Sequence, residues 1–140
     1  VKSSKMNKLR LISIAAALTA LAGCASTPAT PEQTLEERSQ SRWNHILADE
    51  YEQALAFYTP GYRQITTVTD YAIWVRSRPV VWTGAEVKGS ECESEDRCTV
   101  TVKLGYRVPG GPTGINQLQM QRDVQEQWIR LDGQWFFAKD

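Results

Sequence analysis

With 140 residues, the chain has room for one domain of about 100 residues and a single core beyond any leader. Five Trp and five Tyr in an ordinary apolar fraction exclude a disordered chain. The 16 basic and 16 acidic residues cancel, but Lys2, Lys5, Lys8 and Arg10 precede Cys24 with no acid among them, so beyond residue 23 about 12 bases face 16 acids, and the clustered Lys/Arg that nucleic-acid binding needs are absent.

The basic start is followed by the apolar run Leu11 to Leu21, broken only by Ser13 and Thr19, and then by Ala22, Gly23 and Cys24. This is the n-region, h-region and small-residue cleavage site of an export signal over residues 1–23. About eleven residues at 1.5 Å each reach only half of a ~30 Å hydrocarbon core, so the run reads as a leader and not as a permanent span. Translation starts at Val1, as a GTG codon written literally, or at Met6; Lys8 and Arg10 remain in either case. Leu21-Ala22-Gly23-Cys24 resembles the lipobox of bacterial lipoproteins. That resemblance implies diacylglyceryl on the Cys24 thiol, cleavage before it and acylation of the new amino group with palmitate-type chains. More than one chain is what a stable anchor requires. Ala25, where Asp would favour inner-membrane retention, implies an outer-membrane destination with the domain facing the periplasm, the inner membrane being the alternative.

After Cys24, residues 24–33 carry the small, polar, Pro-containing composition of a tether, and 34–140 form the single folded domain. Thr34 and Glu37 have capping-box spacing and predict a helix start. Trp43, Ile46, Leu47, Tyr51, Ala54, Leu55 and Tyr58 then recur at three- and four-residue steps, one amphipathic helix with Arg42, Asp49, Glu52 and Gln53 on its polar side, stopped by Pro60-Gly61. Residues 62–68 read as irregular. Thr69 or Asp70 caps a short second helix through Tyr71, Ile73, Trp74 and Val75, which ends before Pro79.

From there the period changes to two. Strands are expected at 80–88, 98–108, 118–131 and 134–139, with a loop at 109–114 and Asp132-Gly133 as a type I′ hairpin turn. Val100, Val102, Leu104, Tyr106 and Val108 alternate with polar or small residues in the clearest of these. Helices followed by strands predict an α+β fold, N-terminal helices packed on a curved four-stranded antiparallel meander. The expected seam between the layers is Trp43, Leu47, Leu55, Trp74, Val102, Leu104, Trp128 and Trp135.

Cys92 and Cys98 flank the polar loop at 93–97 between the first two strands, and in an oxidising compartment they are expected to bond. With Cys24 consumed by lipid, the cysteine count closes. His45 is the only histidine, so it has no second ligand for a metal and no nucleophile motif around it; it is expected to play no essential role. No Gly-rich phosphate loop occurs, and no cofactor, metal or catalytic set is expected.

The stretches 43–63 (Trp43 through Tyr51, Tyr58 and Arg63) and 128–137 (Trp128 through Asp132-Gly133 to Phe137) are similar to the nuclear transport factor 2-like superfamily, also called ketosteroid-isomerase-like or SnoaL-like; a cystatin-like helix-on-sheet fold is the alternative. The resemblance covers most of Thr34 to Asp140 and implies a cone of sheet and helices around a pocket. Strand phase places Tyr106, Arg122, Glu126 and Trp128 on its inner face as candidate pocket residues, with Arg130 beyond them. No catalytic motif of the superfamily's enzymes matches. The resulting expectation is a membrane-anchored envelope lipoprotein with a non-catalytic binding or scaffold domain, whose partner is an envelope protein, peptidoglycan or a small apolar ligand. The alternative is an acid/base pocket enzyme using Glu126, Tyr106 or Asp70.

Overall fold

A computed structural model describes residues 32–110 and 118–139. The leader, Cys24, the tether up to residue 31, residues 111–117, which include positions 111–114 of the expected loop, and Asp140 lie outside the described residues. The order is α1 (Leu35–Leu47), α2 (Tyr51–Leu55), α3 (Pro60–Ile65), α4 (Val68–Arg76), β1 (Val81–Ser94), β2 (Arg97–Arg107), β3 (Met120–Leu131) and β4 (Gln134–Phe137). The four strands form one antiparallel meander in sequence order, so the architecture is α+β.

Helix α1 begins with the expected capping box: Glu37 N–H donates to Thr34 Oγ1 (3.2 Å), and Thr34 N–H donates to Glu37 Oε2 (2.8 Å). Its buried stripe is Leu35, Ser39, Arg42, Trp43 and Ile46, at three- and four-residue steps. The single long helix expected over this region is in fact two. At Asp49 the backbone turns left-handed (φ 60°), Glu50 N–H donates to His45 C=O (2.9 Å) and Asp49 N–H to Ile46 C=O (3.2 Å). These are the two bonds of a Schellman stop, with Asp at the position where Gly is usual. Leu47 is consequently left on the outside (37 % exposed) and not in the seam.

Pro60 does not end a helix; it opens α3. Its missing N–H costs nothing at a first helical position, and Thr59 caps the turn by accepting from Tyr62 N–H (3.4 Å). The stretch 62–68, expected to be irregular, is therefore helical over 62–65 and again from 68. The cap of α4 is Thr67, neither Thr69 nor Asp70: Asp70 N–H donates to Thr67 Oγ1 (3.1 Å), and the Asp70 carboxylate reaches back to Thr67.

Strand β1 runs six residues beyond the expected end at 88, to Ser94, with register shifts at Trp82/Gly84, Val87/Gly89 and Cys92/Ser94. Bulges of this kind bend a long strand. Alternation in β2 buries Cys98, Val100, Val102 and Leu104 against the helices. At the other end Asp132 (φ 50°) and Gly133 (φ 81°) make the two-residue turn between β3 and β4. The chain also passes beside β4 before α3: Phe137 N–H donates to Phe57 C=O (2.8 Å) and Thr59 N–H to Phe137 C=O (3.3 Å). This short parallel pairing at Tyr58 covers the edge of β4. Helix α1 packs on β1 and β4, and α2 packs on α1 and α4. Trp43, Leu55, Val102, Leu104 and Trp128 are buried in the seam, whereas Trp74 and Trp135 are only partly covered.

Cys92 and Cys98 stand opposite each other in the β1/β2 register and are joined by a disulfide, their Cα atoms 3.9 Å apart. It closes a small hairpin end, so loop closure supplies at most about 2–3 kcal/mol. Alkylation of protein produced in an oxidising compartment should label neither cysteine; two reactive thiols would contradict the bond.

Candidate functional site

A cavity of about 600 Å³ opens between the helices and the inner face of the sheet. Such a volume is ordinary for a small-molecule site. Its walls are aromatic: Trp43 from α1, Tyr58 after α2, Trp74 from α4, Trp82 from β1, Tyr106 from β2 and Phe137 from β4. Trp43 and Trp82 meet edge to face (5.1 Å), as do Tyr58 and Phe137 (4.9 Å), which fixes the rings against each other.

Beneath them lies a buried ion pair. Arg42 and Glu126 are 3 % and 4 % exposed and are joined through Arg42 Nη2 and Glu126 Oε1. Trp43 Nε1–H donates to that same oxygen (2.7 Å), while Ser39 Oγ–H (3.1 Å) and Trp128 Nε1–H (3.2 Å) donate to Oε2. A carboxylate has about four lone-pair sites, and here four donors occupy them. The guanidinium in turn sits over the Phe137 ring (4.2 Å) and donates from Nη1 to Tyr58 Oη (3.3 Å), whose hydroxyl donates to Tyr71 Oη (3.3 Å). Burial opposes the charge on Arg42, but Glu126, with smaller help from Tyr58 and Tyr71, outweighs it and moves the Arg42 pKa upward. Burial pushes the Tyr58 and Tyr71 hydroxyls up as well, so both stay neutral and neither is a base. Arg42 Nε is the one buried side-chain donor without a partner among the described residues.

Of the four candidate pocket residues, Tyr106, Arg122 and Glu126 line the cavity. Trp128 does not. It is fully buried behind Glu126, one step further along β3 on the same face, where it supports the carboxylate instead of meeting a ligand. Arg130 is exposed and donates to the Gly133 carbonyl at the far hairpin (3.4 Å). Asp70 is spent on the α4 cap and is not part of the lining. His45 pairs with Glu50 (2.6 Å) outside the cavity.

Arg42 is the residue that sequence reasoning misplaced. Residue type puts it on the polar side of α1, although its spacing from Leu35, Ser39 and Ile46 puts it on the buried stripe. The other missed members are Arg78, just after α4, and Lys139, just after β4, which come to the mouth together with Arg122. No local motif marks them, because Arg78, Arg122 and Lys139 belong to separate elements and meet only in the fold. Among the described residues no group of three or more His, Cys, Asp or Glu is placed to hold a metal ion.

No protein-family model matches the chain, and no curated protein does either. Solved structures do. A SEC-C motif containing protein from Rhodopseudomonas palustris, determined in solution, is similar at 20 % identity and a TM-score of 0.58 over 76 % of each chain. A crystal structure of a SEC-C motif containing protein from Psychrobacter arcticus is similar at 15 % identity and a TM-score of 0.58; the match covers 76 % of this chain and 59 % of that one. At such identities the likeness is one of fold: this helix-and-meander arrangement is shared with those bacterial proteins.

Proposed function

We propose that the chain is an envelope lipoprotein, held by acylated Cys24 in the outer membrane with its domain in the periplasm, and that this domain is a non-catalytic nuclear transport factor 2-like module that takes a small apolar ligand in its cavity. The observation that carries the binding reading is the state of Glu126. Among the described residues it is the only carboxylate in the lining, and its four acceptor sites are filled by Arg42, Trp43, Ser39 and Trp128. A general base needs a free lone pair within reach of a substrate proton. Here the carboxylate holds the floor together, and the aromatic walls above it offer contact area. The acid/base alternative loses Asp70 to a helix cap and finds no other carboxylate in the cavity among the described residues. The anchor rests on Leu21-Ala22-Gly23-Cys24 and the apolar run before it. Curvature from three irregularities in β1, with helices over the inner face, supports a cone-like arrangement around the cavity.

The anchor is tested by mass spectrometry of the envelope fraction, where the chain should begin at a lipid-bearing Cys24; an unmodified soluble product with another N-terminus would contradict it. The cavity is tested by titrating decanol against tryptophan fluorescence: a saturable change is expected, and none would contradict binding.

A further inference from the structure

The cavity is walled by aromatic rings over the paired Arg42 and Glu126, and the other charged residues that line it, Arg78, Arg122 and Lys139, are all of one sign. No described carboxylate lies within ion-pair distance of Arg78, Lys139 or Arg122, and the single carboxylate lining the cavity among the described residues, Glu126, is already paired with Arg42. Arg78 Cζ is 3.8 Å from the centroid of Trp74 and Lys139 Nζ is 3.9 Å from the same centroid, so the two cations are no further apart than those distances together. Arg122 Cζ stands 5.9 Å from the centroid of Tyr106, another lining ring. An anion placed beside these cations would relieve their mutual repulsion.

Resting on the binding reading above, we infer that the ligand is an amphipathic anion, its apolar body against the aromatic walls and its carboxylate or phosphate head at Arg78, Arg122 and Lys139. The partition follows from where polar groups are available. The floor is saturated on its acceptor side and cannot take a second acid, while the walls are rings that favour apolar contact. At the rim Arg78 and Arg122 make no side-chain hydrogen bond among the described residues and Lys139 makes one, to Tyr62 Oη (3.0 Å), which leaves cationic donors free for a head group, and guanidinium groups fit carboxylate and phosphate oxygens in pairs.

The test uses residues 24–140 with Cys24→Ser, which contains every element described above, and three ten-carbon probes followed by tryptophan fluorescence. Decanoate represents a free acid, decyl phosphate a lipid-type phosphate head, and decanol the uncharged body. At least one anion should bind about tenfold tighter than decanol or better, ~1.4 kcal/mol, and the tighter anion identifies the source of the head. The preference should shrink between 0.1 M and 1 M salt, as the screening length falls from ~10 Å to ~3 Å. It should also vanish in Arg78→Gln/Arg122→Gln, whose exposed positions leave the melting temperature unchanged within about 2 °C. Equal affinity for decanol and both anions would overturn the inference and leave an apolar binding cavity standing. A preference that survives the double substitution would overturn the placement of the head. Absence of saturable binding for all three probes would overturn the binding reading itself.

Discussion

Replacing Glu126 with Ala is expected to cost about 3–5 kcal/mol, a large part of the 5–15 kcal/mol that holds a domain of this size together. The loss is not the worth of an ion pair. Removing the carboxylate strands Arg42, 3 % exposed, as an uncompensated buried charge, and leaves the Trp43 indole, the Trp128 indole and the Ser39 hydroxyl without their acceptor. Thermal melting should fall by more than about 12 °C, at roughly 4–8 °C per kcal/mol for a domain of this length. The double substitution Arg42→Met/Glu126→Leu should be less damaging than the two single changes added together, because it removes both charges at once. Glu93→Ala, exposed at the hairpin end, should stay within about 0.5 kcal/mol of the parent. A parent-like melting temperature for Glu126→Ala would show that the carboxylate is not the keystone of the floor.

Trp128→Ala should be of similar size, about 3–5 kcal/mol, for a different reason. Its ring is fully buried opposite Cys98, meets Phe137 at a centroid distance of 5.8 Å and carries one of the four bonds to Glu126. Truncation opens a void and loosens the carboxylate together. Leu47→Ala is the contrasting change: helical periodicity expects it in the seam, but the Schellman stop leaves it 37 % exposed, and its loss should cost well under 1 kcal/mol. Equal losses for Trp128→Ala and Leu47→Ala, measured by urea denaturation, would contradict the packing.

The contrast between these two residues shows where sequence was informative. Strand phase is set by a period of two that local residues alone enforce, so Val100, Val102 and Leu104 identified the inner face of β2, and Val124 and Trp128 that of β3, whose phase placed Tyr106, Arg122 and Glu126 together. Asp132-Gly133 and the Thr34/Glu37 box were legible for the same reason, since turns and caps depend on neighbours. The break at Asp49 was not: Ala48-Asp49-Glu50 contains no Gly, and an Asp in the left-handed region is uncommon enough that periodicity reads through it. Pro60 carried two meanings, a stop and a first helical residue, and only the Thr59 cap decides between them.

Arg42 was hidden by its chemistry. A guanidinium is buried only where a carboxylate meets it, and Glu126 lies 84 residues away, a separation no helical wheel contains. The same holds for the cationic rim, assembled from the ends of α4 and β4 and the start of β3. Spacing identified the faces of the elements; the site depends on which faces meet.

The most direct test of the cavity as a binding site is the set of indole N–H resonances during a decanol titration of isotope-labelled protein. Trp43, Trp74 and Trp82 line the cavity, whereas Trp135 on β4 does not. The expected result is a saturable, one-to-one displacement of the Trp74 and Trp82 resonances with Trp135 unmoved. Stationary Trp74 and Trp82 resonances, or a displacement of Trp135 as large as theirs, would contradict it.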